Sequence, residues 1–177
     1  MEPKPVWRFR WFWPWQDDAE EAWLEEMSGE GLHLSSAGSF GQYRFVTGKP
    51  VRFAYRLDYR RTARKEKGEY LELFRDSGWE YAGESRGWHY FRKPMAPGDS
   101  HEILTDRESK IDKYRRLSAF YTFFVFFSMM FLARTLISGR GIPGNDLLTG
   151  AWGILLVAFA VITFMLRRRI RALKSGI

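Results

Sequence analysis

No cysteine occurs among the 177 residues. That absence excludes disulfides, thiolate metal sites and thiol catalysis. Histidine is scarce as well, with only His33, His89 and His101. The first two fall on predicted strands in different halves of one segment and the third in a linker. A zinc site needs three or four ligands brought together, so these read as ordinary strand and loop residues, and no metal or cofactor is expected. Nucleophile-elbow and phosphate-loop spacings are missing too. No catalytic residue is assigned and no enzyme is expected. The first 18 residues (MEPKPVWRFRWFWPWQDD) lack both a continuous apolar core and a small-residue cleavage site, so they do not read as a secretory signal.

Charge is missing from two long stretches. Residues 117–133 (LSAFYTFFVFFSMMFLA) carry none in 17 positions, and residues 147–166 (LLTGAWGILLVAFAVITFML) none in 20. A hydrocarbon core about 30 Å thick needs roughly 20 helical residues. The second run meets that directly. The first meets it by continuing to residue 137, with the Arg134 head snorkelling to the interface. The spacing predicts a transmembrane helical hairpin. The alternative is a buried helical pair in a soluble protein, and the clustered arginines at both ends argue against it.

Those flanks also set orientation. Lys110, Lys113, Arg115 and Arg116 precede the first span, and Arg167, Arg168, Arg169, Arg171 and Lys174 follow the second. Arg134 and Arg140 lie near the intervening loop, opposed by Asp146. Cationic flanks stay on the cytoplasmic side. The expectation is a multi-pass membrane protein with both termini inside.

The net charge of +7 suggests nucleic acid until it is divided. Residues 1–110 hold 18 Lys/Arg against 19 Asp/Glu, a net of −1; residues 111–177 hold 10 against 2, a net of +8. The basic excess sits beside the spans, where it attracts anionic lipid. Nucleic acid is therefore not an expected partner, and the lipid bilayer is.

The segment before the spans is a repeat. Trp7, Phe9, Trp11 and Trp13 alternate as on a half-buried strand, ended by Pro14. Asp17 and Glu20 fit a helix start; Ala19, Trp23, Leu24 and Met27 follow at helical spacing, and Gly29 and Gly31 stop the helix. Residues 32–37 and 40–46 read as a hairpin. The order then recurs: a strand at 53–59, a helix at 66–77, and a hairpin from 79–83 and 87–92. Shifted by 46 positions, Trp7 meets Phe53, Leu24 meets Tyr70, Gly41 meets Gly87 and Phe45 meets Phe91. One unit alone buries too little, so two pair. The predicted fold is α+β: two strand–helix–strand–strand units in a mostly antiparallel, six-stranded sheet with the helices on one face, followed by the hairpin.

Boundaries follow: a cytoplasmic α+β domain at 1–93, a linker at 94–104, and a juxtamembrane helix at 105–116 opened by Thr105 and Glu108 as a capping box. The first span is 117–137, an outside loop 138–146, the second span 147–166, and a basic cytoplasmic tail 167–177.

The element order of residues 7–92 resembles the paired modules of GyrI-like ligand-binding domains, which implies an aromatic cleft between the halves for lipophilic or cationic molecules. The phrases FRWFWPWQDDAEEAWLEEMSGEGLHL, FGQYRFVTGKP, YRLDY, EYLELFRDSGWEY, GWHYFRKP and TDRESKIDKYRRL resemble domain-of-unknown-function family 2812 over residues 8–117. That resemblance implies a bacterial membrane protein, often encoded beside a PadR-like repressor, and brings no activity with it.

Three surfaces remain as candidates. Trp11, Trp23, Trp79, Trp88, Tyr43 and Tyr90 form an aromatic set that lines a ligand cleft or simply fills a core. The acidic helix at 17–30 is a docking face for a basic protein partner or a solvated face. The basic loop at 60–67 contacts lipid headgroups or is solvated. The expected function is a membrane-anchored, non-enzymatic regulatory or adaptor protein whose cytoplasmic domain binds a protein; the alternative is a membrane-tethered small-molecule sensor. Oligomeric state is left open.

Overall fold

The computed structural model describes residues 5–95 except 62 and 64, then 107–138 and 145–175. His101, Thr105, most of the 94–104 linker and most of the 138–146 loop lie outside the described residues. The chain divides into two units, Met1–Thr105 and Asp106–Ile177.

The first unit holds β1 (Pro5–Phe9), α1 (Asp17–Gly29), β2 (Leu32–Ala37), β3 (Gln42–Thr47), β4 (Phe53–Tyr59), α2 (Lys67–Asp76), β5 (Glu80–Ser85) and β6 (Trp88–Pro94). Two strand–helix–strand–strand modules are therefore present. Their strands form two antiparallel sheets, ordered β1-β3-β2 and β4-β6-β5. The expected single six-stranded sheet is corrected on this point. β2 and β5 run close together, but each carries a register shift, at Leu34/Ser36 and at Tyr81/Gly83. A bulge breaks the even row of backbone groups that a continuous ladder needs. Side chains bridge instead: the Leu34 N–H donates to the Tyr55 hydroxyl (3.4 Å), and the Ser85 hydroxyl to the Gly38 carbonyl (3.1 Å).

The repeat survives in backbone detail. Phe40 and Arg86, 46 positions apart, both take left-handed conformations (φ 61° and 51°), and each is followed by a left-handed glycine, Gly41 (φ 76°) or Gly87 (φ 87°). The carbonyl of each glycine accepts the N–H just past the facing strand, Arg10 for Gly41 and Arg60 for Gly87, both at 2.9 Å. The two turns also touch, with the Arg86 guanidinium 4.2 Å from the Phe40 ring centroid. A Cβ on Gly41 would lie 2.6 Å from the Arg10 carbonyl oxygen, whereas one on Gly87 meets side chains alone, the Tyr59 ring at 3.2 Å and the Arg61 Cγ at 3.4 Å. Gly41→Ala should therefore cost about 2 kcal/mol or more, and Gly87→Ala measurably less. Urea melts of the two variants check the order.

β1 turns the opposite way from a strand that buries its tryptophans. Val6 pairs with Phe45 and packs on the core, as does Phe12. A period of two then places Trp7 and Phe9 on the outer face. They are 61% and 72% exposed, and Trp11 and Trp13 beyond the strand are 49% and 45% exposed.

α1 begins after Gln16, whose side chain makes no N-cap bond to the helix; its amide oxygen instead accepts the Trp13 N–H (2.9 Å). Asp17 is thus inside the helix and buried, not its cap. Trp23 and Leu24 bury against Tyr43 and Phe45 of the first sheet and Tyr55, Leu57 and Tyr90 of the second. α2 lies on the other side of β6, where Phe74 stacks on Phe91 at 3.8 Å and Tyr70 crosses Phe91 at 5.9 Å. Each module's helix thus covers one face of its own sheet. Gly68 sits in the first turn of α2, where a flexible residue costs little.

The second unit is a helical hairpin, α3 (Arg107–Ser138) and α4 (Asn145–Ser175). α3 passes without a break from the charged juxtamembrane segment into the apolar run, as expected. α4 continues through the arginine cluster, so the basic tail is its last two turns. Rings interlock between the helices: Phe124 with Phe159 at 5.3 Å, and Phe131 with Trp152 at 4.3 Å.

Candidate functional site

α1 carries six carboxylates, with Glu30 just past its end, and the structure uses four of the six inside the domain. β4 is the edge of its sheet, so the N–H groups of Phe53, Tyr55 and Leu57 point away from β6. α1 runs along that edge and answers each one. Glu21 accepts the Leu57 N–H (2.7 Å), Glu25 the Tyr55 N–H (3.2 Å), and the Ser28 hydroxyl oxygen the Phe53 N–H (3.3 Å). The match is geometric. Four helical residues advance about 6.0 Å and two strand residues about 6.6 Å. A carboxylate at i and i+4 therefore meets every second amide. An edge that would template another strand is covered.

Glu20 turns into the core instead. The Tyr43 and Tyr90 hydroxyls, one from each module, both donate to its Oε1, at 2.7 and 2.8 Å. Burial pushes the Glu20 carboxyl up from its ordinary range, and nearby Asp17 pushes it further, against the two tyrosine bonds that lower it. Burial and the adjacent carboxylate likewise raise Tyr43 and Tyr90 far above the usual phenol value, so both hydroxyls stay protonated donors. Trp23 crosses Tyr43 edge-on at 4.8 Å, and Phe12 lies 5.7 Å from Trp23. The Arg10 guanidinium covers the outside of both rings, 5.3 Å from Phe12 and 5.5 Å from Trp23. The result is an acid in an aromatic box between the modules, with a second buried carboxylate, Asp17, close by.

Of the six aromatic residues expected at a cleft, Trp23, Tyr43 and Tyr90 come together here as packed core. Trp88 is half-buried at its margin, 5.4 Å from Tyr59. Trp11 is exposed and packs on Trp13 at 5.7 Å. Trp79 is half-buried before β5, its N–H donating to the Phe74 carbonyl. Glu20 was visible in the sequence only as part of an acidic helix. The signal for it is position: residues 20, 23, 24 and 27 share one helical stripe, so this carboxylate stands on the apolar face.

His33 and His89 each bond a backbone carbonyl through Nε2, that of Lys49 and of Arg60, both at 2.9 Å. Among the described residues no three His, Asp or Glu side chains are grouped to hold a metal. A groove beside α1 is bounded by Ala22, Glu25, Glu26 and Gly29 and by Arg52, Phe53 and Met95.

The hairpin is the other candidate element. Residues 108–137 and 147–175 are long and apolar enough to cross a membrane, and only 11% of each apolar window is buried. A soluble core helix would hide most of such a window. Here Phe123, Phe126, Met130, Ile154, Val157 and Phe164 face outward. The cationic ends of the two helices meet, with Arg169 Nε donating to the Tyr114 hydroxyl at 3.4 Å.

No curated protein and no solved structure matches the chain. One family model does, over residues 16–126, from α1 through the first half of the α3 apolar run. The α+β domain from α1 onward and the start of the hairpin are thus matched as one stretch, and the chain belongs to the family described as protein of unknown function (DUF2812).

Proposed function

We propose that this chain is a membrane-anchored, non-enzymatic regulatory or adaptor protein of the bacterial cell membrane. The α3–α4 hairpin crosses the bilayer twice, the α+β domain and both termini face the cytoplasm, and the domain binds a protein partner. The supporting observation is the hairpin itself, with apolar side chains exposed along both helices and all of its cations but Arg134 gathered, among the described residues, at one end. A bilayer accepts such a surface and retains such an end on the cytoplasmic side. Because Asp17, Glu20, Glu21 and Glu25 face the domain interior, the acidic face left for a partner is narrower than the whole helix. It consists of exposed Glu26 and Glu30 with the groove that Phe53 and Met95 floor. A basic, amphipathic segment fits that chemistry.

Affinity capture from membranes in mild detergent tests the reading. The native chain should retain a specific protein that a Glu26→Lys/Glu30→Lys variant releases. Equal capture by both, or capture of nothing, contradicts it.

A second reading, a sensor of lipophilic cations, is favoured by the Glu20 box, because a buried acid among aromatic faces suits a desolvated cation. Titration with tetraphenylphosphonium separates the two. Saturable quenching of tryptophan fluorescence that Glu20→Gln abolishes supports the sensor; its absence removes it.

A further inference from the structure

The outer face of the β1-β3-β2 sheet has no layer over it among the described residues, and its chemistry is one-sided. Trp7 and Phe9 stand there beside Arg44, which pairs with Trp7 across the strands. Trp11 and Trp13 extend the strip along the chain, while Arg8, opposite Tyr43, and Arg10, over Phe12 and Trp23, flank it from the α1 side; all seven side chains are exposed. The three strands of this sheet carry no Asp or Glu, whereas the other sheet carries Asp58, Glu80 and Glu84. No described carboxylate pairs with Arg8, Arg10 or Arg44. Arg8 instead donates to the Trp7 carbonyl, and Arg10 lies over rings.

Resting on the membrane-anchored reading above, we propose that this strip docks the α+β domain on the anionic headgroup layer of the bilayer that the hairpin spans. Tryptophan rings with an apolar body and a polar N–H settle at the headgroup level, and Arg44 between them meets lipid phosphates, with Arg8 and Arg10 adding positive charge at the margin. The tether makes the encounter local. Residues 96–106 are the only chain between the last described residue of the domain and α3. Fully extended they reach no more than about 40 Å, which holds the domain at high effective concentration over the lipid. A second copy of the same strip would bring arginine against arginine, so self-association is the less favourable occupant.

The native chain has no cysteine, which makes a site-directed test direct. Gln42 is exposed on the same outer face, opposite Phe9. Gln42→Cys, Glu26→Cys and Phe126→Cys full-length chains are each labelled with an environment-sensitive fluorophore. They are placed in phosphatidylglycerol-containing nanodiscs with a spin-labelled lipid as quencher. The label at 126 should be quenched, the label at 42 should be quenched and blue-shifted, and the label at 26 should be neither. Arg8→Glu/Arg44→Glu, or Trp7→Ser/Phe9→Ser, should return the label at 42 to the level of 26. Either pair suffices if the other fails to fold. Quenching at 126 with none at 42 overturns the docking proposal alone. No quenching at 126 overturns the anchored reading beneath it. Shielding at 42 that rises with protein concentration and ignores the lipid quencher places a second copy there and also overturns it.

Discussion

Glu20→Ala should lower the stability of the α+β domain by about 3–4 kcal/mol at mildly acidic pH. The substitution leaves the Tyr43 and Tyr90 hydroxyls buried without an acceptor, and each orphaned group costs about 1–3 kcal/mol. Both bonds end on Oε1, so Glu20→Gln keeps them and removes only the ionisable group. The two variants therefore separate hydrogen bonding from charge. Burial raises the folded-state pKa of Glu20 above its unfolded value. Its contribution is thus fully present below about pH 4.5, near the unfolded carboxylate value, and is lost as pH rises through the folded-state value. The loss from Glu20→Ala should be greatest at low pH and shrink across that window. Glu20→Gln should gain on the native chain over the same window and stay level above it. Urea unfolding in detergent, followed by the fluorescence of the buried Trp23 cluster, reads both effects. A native-to-Gln difference that does not change with pH would show that Glu20 is not held under a burial penalty.

Removing both acceptors from the β4 edge should cost nearly as much. In Glu21→Ala/Glu25→Ala the N–H groups of Leu57 and Tyr55 lose their partners, at about 1–2 kcal/mol each where the edge stays partly covered. Amide hydrogen exchange gives the site-specific reading. Exchange at residues 55 and 57 should quicken by about tenfold for each 1.4 kcal/mol lost, while that at 56 and 58, which face β6, should follow only global unfolding. An uncovered edge also invites pairing between chains, so the variant should associate more readily than the native protein. Glu21→Gln/Glu25→Gln keeps carbonyl acceptors at the same positions and should retain most of the stability. Equal loss in the Gln and Ala pairs would assign these residues to charge effects and contradict the edge-capping account.

Those two sites mark the limit of what could be read before the structure. The doubled strand–helix–strand–strand order was legible because alternation, helical stripes and glycine stops recur with a constant offset of 46. The hairpin was legible because a bilayer demands long uncharged runs. What the carboxylates of α1 touch was not, since Glu21 and Glu25 show the same i, i+4 spacing as a solvated face. Their partners are backbone amides 30 and 36 positions away, which have no side-chain signature. The facing of β1 was obscured by aromatic residues at both parities. Trp7, Phe9, Trp11 and Trp13 outweigh Phe12 by pattern, yet Val6 and Phe12 are the ones that pack inward, and a shift of one residue exchanges the faces. The two sheets meet at bulged strands, and of the two bulges only that in β5 has a residue-type signal, Gly83 inside the strand (φ 146°); the one in β2, between Leu34 and Ser36, has none. Phe40 and Arg86 in left-handed turns were hidden for a similar reason: residues other than glycine seldom signal that conformation.

The central claim is that the helical hairpin crosses a bilayer with the α+β domain on the cytoplasmic side. Nine cations flank the inner ends against two near the outer loop, and moving each through the low-dielectric core costs about 2.5–3.5 kcal/mol on insertion scales. Single-cysteine labelling reads the topology directly. Cysteine is introduced at Gly141, Ser100 and Ser175 in turn, and intact cells are treated with a membrane-impermeant maleimide. The account predicts labelling at position 141 alone. Strong labelling at 100 or 175 would reverse the orientation, and no labelling at 141 together with release of the protein by high salt would contradict membrane insertion itself.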